Sequence, residues 1–255
     1  MMPEIHEQGF NGAPATQWDS PKEIVDGFIR EQQRIVSGYG GNERVKKELW
    51  EEAKKPRHVA LSLTGETILY AHLLELLKEF HSRGISTFLV TNGIYPQVVR
   101  KMIWEKVFPT QFYASMSAWD EASYNNVCRP LIPNAWSKFL ETLELLKQMQ
   151  CRTVIRMTLV KNLNMEAVKE YAELIKSSNA HYVECKAFMS VGPARERLGL
   201  ERMPLHSEIQ EFARELAKET GYVHSAEHEQ SRCVLLCRDG EAQKNRLIDF
   251  EKISV

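Results

Sequence analysis

The residues best suited to chemistry stand just after short apolar runs. Thr64, Gly65 and Glu66 follow His58–Leu63. A glycine there lets backbone approach a ligand, and Glu66 is a fixed acceptor for an ammonium or a ribose, although a solvated turn uses the same residues. Asn92 and Gly93 follow Ile85–Val90, where Asn92 could donate to a ligand oxygen or simply form a turn. Ser115 and Ser117 lie two apart in an extended segment and face one side; Asp120 suits the cap of the helix containing Tyr124. Arg156 sits among Val154, Ile155, Met157 and Leu159, a costly place unless it meets a carboxylate or phosphate. Its partner is either a ligand or Glu184. Lys186, near the end of Tyr182–Phe188, and Lys161, just past Val160, are amines for a Schiff base or a salt bridge. Arg195 and Arg197 follow a glycine turn at Gly192 and suit phosphate or RNA backbone as well as solvent.

The sulfur and imidazole groups give no metal pattern. Cys233 and Cys237 are four apart, roughly 13 Å along a strand, and Cys128, Cys151 and Cys185 are isolated. His224 and His228 lack the glutamate of a helical zinc motif. The sequence assigns no metal ligand.

The elements that must position these groups alternate. Ser20, Pro21 and Glu23 form a capping signal ahead of a helix ended by Gly38. A charged helix is predicted over 43–54. Strands are predicted over 58–63, 85–90, 111–116, 152–160 and 182–188, with a last short strand at 234–236. Helices are predicted over 69–82, 96–105, 134–149, 165–176 and 207–220, the last opened by a Ser207–Gln210 box. Strands separated by amphipathic helices imply right-handed crossovers and a parallel α/β sheet, with ligands at the carboxyl ends of the strands. Residues 1–19 read as a loop and 20–255 as a single domain.

Composition narrows the class. The chain has 255 residues, a net charge of -1 and 43% hydrophobic residues, so it can bury a core without disulfides and is neither disordered nor a generic nucleic-acid coat. No run of about 18 apolar residues predicts a membrane span. The acidic start has no secretory signal, and five scattered cysteines fit a reducing cytoplasm.

Taken in order, HVALSLTGE, FHSRGISTFLVTNG, RTVIRMTLVKNLNM, YVECKAFMSVGPARERL and SEIQEFARELAKETGY resemble the catalytic domain of the radical S-adenosylmethionine tRNA 4-demethylwyosine synthases, from about Trp18 to Arg238. The resemblance implies a partial (β/α)6 barrel, here without its first strand. It implies that Thr64, Gly65 and Glu66 meet the methionyl amino group of S-adenosyl-L-methionine, beside Asn92. Ser117 and Arg156 correspond to contacts with ribose and carboxylate. Lys161 and Lys186 become pocket lysines, and Arg195 and Arg197 tRNA-facing positions. The family condenses pyruvate carbons onto N1-methylguanosine in phenylalanine tRNA after radical initiation. Two departures stand out. Gly65-Glu66 is followed by Thr67 where the family has proline, and the C-x3-C-x2-C ligands of the 4Fe-4S cluster are absent. The expectation is therefore a cytoplasmic portion of such an enzyme, inactive alone and completed by a missing N-terminal segment. The alternatives are a cluster-less tRNA-binding relative and a Schiff-base-lysine α/β-barrel enzyme.

Overall fold

The computed structural model describes residues 18–62 and 65–249. Of the loop expected over residues 1–19, positions 1–17 lie outside the described residues, as does Thr64. Two compact units are distinguished: residues up to Leu89 with 107–110 and 249 onward, and residues 90–106 with 111–248.

In the first unit, helix α1 (Pro21–Ser37) begins where the sequence places it. Ser20 Oγ accepts from the Glu23 amide at 3.3 Å, and the Glu23 carboxylate accepts from the Ser20 amide at 2.9 Å. Its apolar stripe follows. Val25 is fully buried with Leu76 and Phe80 of helix α3 (Leu73–Ser82), Val59 of strand β1 (His58–Leu61) and Ile85, while Ile24, Phe28 and Ile29 pack around them. Each such side chain contributes about 1.5–3 kcal/mol by leaving water. Arg83 secures the same pair of helices from outside, reaching Asp26 at 3.0 Å and Glu79 at 2.7 Å. β1 runs parallel to strand β2 (Ser86–Thr91), in register from His58 opposite Ser86 to Leu61 opposite Leu89. Thr87 and Thr110 exchange amide-to-hydroxyl hydrogen bonds of 3.1 Å.

Helix α2 (Lys47–Ala53) starts four residues later than predicted. Hydrogen-bonded turns through Tyr39, Gly40, Asn42 and Val45 use the intervening backbone instead.

The second unit holds strands β3 (Gln111–Ser115), β4 (Arg152–Leu159), β5 (Tyr182–Ala187), β6 (Val223–His228) and β7 (Cys233–Cys237). They lie in the order β3-β4-β5-β7-β6. β3, β4 and β5 are parallel, as the alternation implies; β7 and β6 are antiparallel additions. The expectation of a wholly parallel sheet fails there because β6 and β7 are joined by only four residues, too few for a crossover. β6 escaped the pattern because its sequence, VHSAEH, has no alternation of apolar and polar residues. Its charged groups and the register shift between His224 and Ala226 blunt this strand against further pairing.

The helices are α4 (Pro96–Glu105), α5 (Glu121–Cys128), α6 (Ala135–Leu145), α7 (Val168–Ser178), α8 (Pro193–Leu198), α9 (His206–Thr220) and α10 (Gly240–Lys244). Asp120 does cap α5, accepting from the Ser123 amide at 2.7 Å. The Ser207–Gln210 box at α9 is not formed. The helix starts one residue earlier, and Glu208 accepts from the Leu205 amide at 2.8 Å, while Gln210 reaches Glu227 at 2.9 Å.

A clasp closes the amino ends of the parallel strands. Arg152 donates through Nε to Gln111 at 2.7 Å and through its terminal nitrogens to the carbonyls of Asn245 and, at 2.7 Å, Arg246. Its guanidinium lies 4.8 Å over the Tyr182 ring, whose hydroxyl donates to Asn245 O at 3.0 Å. Together they hold the end of α10.

Candidate active site

Strand register builds the site in the second unit. Residues directly opposite on neighbouring strands point to the same face. One rung therefore joins Ser115, Arg156 and Glu184, and the next joins Thr158, Lys186 and Cys233. Below them lie Gln111 opposite Arg152, and Tyr113 opposite Val154. The alternate residues, including Phe112, Ala114, Ile155, Met157, Leu159, Val183 and Cys185, are buried, and α9 covers β5 and β7. One sheet face is thus core; the other is polar and carries the chemistry.

Arg156 satisfies the demand its position creates. Its Nε donates to Glu184 Oε1 at 3.1 Å and one terminal nitrogen to Oε2 at 3.4 Å. Its guanidinium also lies 4.4 Å over the Tyr113 ring. Tyr113 was not singled out in the sequence, where only its place two residues before Ser115 hints at the shared face. Burial, then the Glu184 carboxylate, pushes its phenol above the usual tyrosine range.

The two lysines differ. Lys161 Nζ is 2.5 Å from Glu208 Oε1, and its amide donates to Arg202 O at 3.0 Å. That contact is the largest cause holding the Glu208 carboxyl below its ordinary value. Lys186 has no ion-pair or hydrogen-bond partner for its amine among the described residues. Its neighbour Cys233 has a thiol pushed up to about 11, chiefly by burial and then by Glu184.

The end of β4 is organised by Asn164, which sequence reasoning passed over. The residue is 1% exposed. Its amide nitrogen donates to Ser117 O at 3.0 Å and Thr158 O at 2.9 Å, and its Oδ1 accepts from the Val160 amide at 2.6 Å. Ser117 is therefore held through its backbone, with its side chain half-buried. The turn after β2 is closed by its own side chains: Thr91 Oγ1 accepts from the Gly93 amide and Asn92 Oδ1 from the Ile94 amide, both at 3.1 Å. Gly93 has φ 76° and would place a Cβ 2.9 Å from Phe139. Phe139 belongs to an aromatic group with Tyr124 and Trp136, its ring 5.9 and 5.7 Å from theirs. Arg195 and Arg197 are exposed on α8, bracketed by Gly192 and Gly199.

In the first unit, Gly65 has φ 76°, a value that favours glycine, and Glu66 caps a single turn of 3-10 helix over Thr67–Leu69.

Comparison with known proteins decides what this arrangement belongs to. The Radical SAM superfamily model matches residues 19–175, and the Wyosine base formation model matches residues 177–238. A tRNA 4-demethylwyosine synthase of Pyrococcus abyssi is 45% identical over 87% of this chain and 65% of its own length. The Pyrococcus horikoshii synthase is 45% identical over 91% of this chain and 68% of its own. The chain belongs to the radical SAM tRNA 4-demethylwyosine synthase family. A solved structure of TYW1 with a lysine-pyruvate adduct bound is 37% identical, with a TM-score of 0.79 over 87% of this chain and 70% of that one. The α/β architecture is accordingly the radical SAM fold, a partial (β/α)6 barrel. This chain spans about two thirds of the archaeal relatives' length.

The family uses S-adenosyl-L-methionine and a 4Fe-4S cluster. The polar face, with Ser115, Ser117 and the Arg156–Glu184 pair, offers the donors and acceptors that a zwitterionic nucleoside needs. The cluster fares differently: among the described residues no three His, Cys, Asp or Glu side chains come together to hold a metal ion. No described helix is long and apolar enough to cross a membrane.

Proposed function

We propose that this chain forms the catalytic-domain portion of an enzyme that makes 4-demethylwyosine from N1-methylguanosine in phenylalanine tRNA, with pyruvate as carbon donor and Lys186 as the amine that holds it. The observation that carries the reading is Lys186 itself. It stands on the polar strand face, between Thr158 and Cys233, without an ion-pair partner among the described residues, whereas Lys161 is engaged by Glu208. A relative whose solved structure has a lysine-pyruvate adduct bound supports the same chemistry.

A free lysine amine adds to the ketone carbon of pyruvate, and loss of water leaves a Schiff base that fixes the three-carbon unit in place. In this reading Thr158 and Cys233 flank the amine, while the Arg156 guanidinium, with donors beyond those given to Glu184, is kept for S-adenosyl-L-methionine. S-adenosyl-L-methionine, when bound, supplies the radical; Thr64, Gly65, Glu66, Asn92, Ser117 and Arg156 are the residues proposed to hold it. Arg195 and Arg197 are proposed to contact tRNA phosphates. The five cysteines do not meet the cluster's need, so its ligands come from outside them, and the chain by itself is inactive.

The test is reductive trapping. Incubation with pyruvate and borohydride should label Lys186, and Lys186→Ala should abolish that label. Labelling of Lys161 in its place, or of no lysine, sinks the assignment. Anaerobic treatment with iron and sulfide should give this chain no 4Fe-4S absorption band; a band would show that its own residues suffice. A cluster-less tRNA-binding relative would retain tRNA yet fail to trap pyruvate.

A further inference from the structure

The turn between α1 and α2 presents an aromatic ring and three cations in a manner that packing within the first unit does not require. Tyr39 is 54% exposed. Its backbone is nevertheless held firmly: the Tyr39 amide donates to Val36 O at 3.0 Å, Gly40 to Ser37 O at 3.2 Å and Asn42 to Tyr39 O at 3.1 Å. The Asn42 side chain accepts from the Arg44 amide at 3.0 Å. Trp50 closes the turn from beneath. Its Nε1 donates to Val36 O at 2.9 Å, and a Cβ on Gly40 would lie 2.7 Å from its ring. Only glycine fits there. Lys54 covers the Trp50 ring at 3.8 Å.

The charges differ from those on the neighbouring helix. Arg34 is paired with Glu31 at 2.6 Å. Arg44, Lys46 and Lys47 are exposed, and their side chains have no ion-pair or hydrogen-bond partner among the described residues. An exposed ring on a rigid turn beside unpaired cations suits single-stranded or looped RNA, whose bases stack on aromatics while phosphates meet lysine and arginine.

We propose that this turn is an RNA-binding surface, with Tyr39 stacking on an unpaired base and Arg44, Lys46 and Lys47 contacting phosphates. It rests on the reading that the chain acts on tRNA, and it adds a contact separate from Arg195 and Arg197.

The test measures binding of a labelled tRNA transcript to the chain across a salt series, with folding of every variant checked by circular dichroism. Tyr39→Ser should weaken binding by about tenfold with the salt slope unchanged, and Tyr39→Phe should restore it. Lys46→Ala with Lys47→Ala should lower the slope by about 1.4–1.8. If Tyr39→Ser binds as tightly as the unsubstituted chain while Arg195→Ala with Arg197→Ala loses tRNA, this surface is wrong and the tRNA reading stands. If the unsubstituted chain fails to bind tRNA, both fall. If Tyr39→Ser alters self-association and leaves RNA affinity intact, the ring serves a second copy of the chain and the proposal is overturned.

Discussion

The Arg156 guanidinium and the Glu184 carboxylate meet across adjacent parallel strands, Nε to Oε1 at 3.1 Å, with side chains 29% and 15% exposed. Two opposite charges on neighbouring strands make each tolerable. Glu184→Gln should therefore destabilise the fold by about 2 kcal/mol, less than a fully buried pair because water reaches both groups. Arg156→Met combined with Glu184→Leu should recover part of that loss. Urea midpoints of Arg156→Met, Glu184→Leu and their double variant measure it; strictly additive losses would mean the pair is uncoupled.

Asn164 ends three hydrogen-bonding problems at once, at Ser117 O, Thr158 O and the Val160 amide. Asn164→Ala leaves them buried and should cost about 2–4 kcal/mol in chemical denaturation. Asn164→Asp should be nearly as damaging, since a carboxylate cannot donate to the two carbonyls. An aspartate variant as stable as the parent would refute this account of the strand ends.

Gly93 faces two constraints, a φ of 76° and Phe139 at 2.9 Å from any Cβ. Gly93→Ala should lose about 1–3 kcal/mol. Adding Phe139→Leu should relieve the steric part and leave the backbone part, so thermal melts of the double variant should lie between those of the parent and Gly93→Ala. A double variant melting at or below the single would remove the Phe139 explanation.

His58, His81 and His181 all have imidazoles held below their ordinary value of 6.5, each chiefly by burial. The unfolded chain then binds protons that the folded chain refuses, so stability is full above about pH 6.5 and declines as pH falls through that range. The decline levels off once the folded-state values are passed. His81, which meets Thr87 Oγ1 at 2.9 Å, is the clearest probe. His81→Gln should shallow the dependence of the melting temperature between pH 7 and 5; an unchanged slope would show that His81 does not carry it.

What could be read from the sequence follows from what was local. The Ser20–Glu23 box and the Asp120 cap depend on residues three apart, and both are formed. Arg156 betrayed itself by its apolar neighbours, and Glu184 was legible as one of its two possible partners. Tyr113 was not, because its role needs the register of β3 against β4. Asn164 sits in a polar turn where its type carries no signal, and its partners are mostly backbone carbonyls. β6 lacked alternation because it is an edge with water on much of its surface. Residue types alone left Glu66 and Asn92 open between ligand contact and plain turn; the cofactor roles that the family resemblance implies for them are proposals.

The clasp at Arg152 has an evolutionary corollary. Its nitrogens recognise carbonyl oxygens at positions 245 and 246, which every amino acid possesses. The identities of those two residues can drift with little penalty. Their number cannot: a deletion between the end of β7 at Cys237 and this point would draw the acceptors away and leave a cation stranded above Tyr182. The tail is constrained as a measured length of chain.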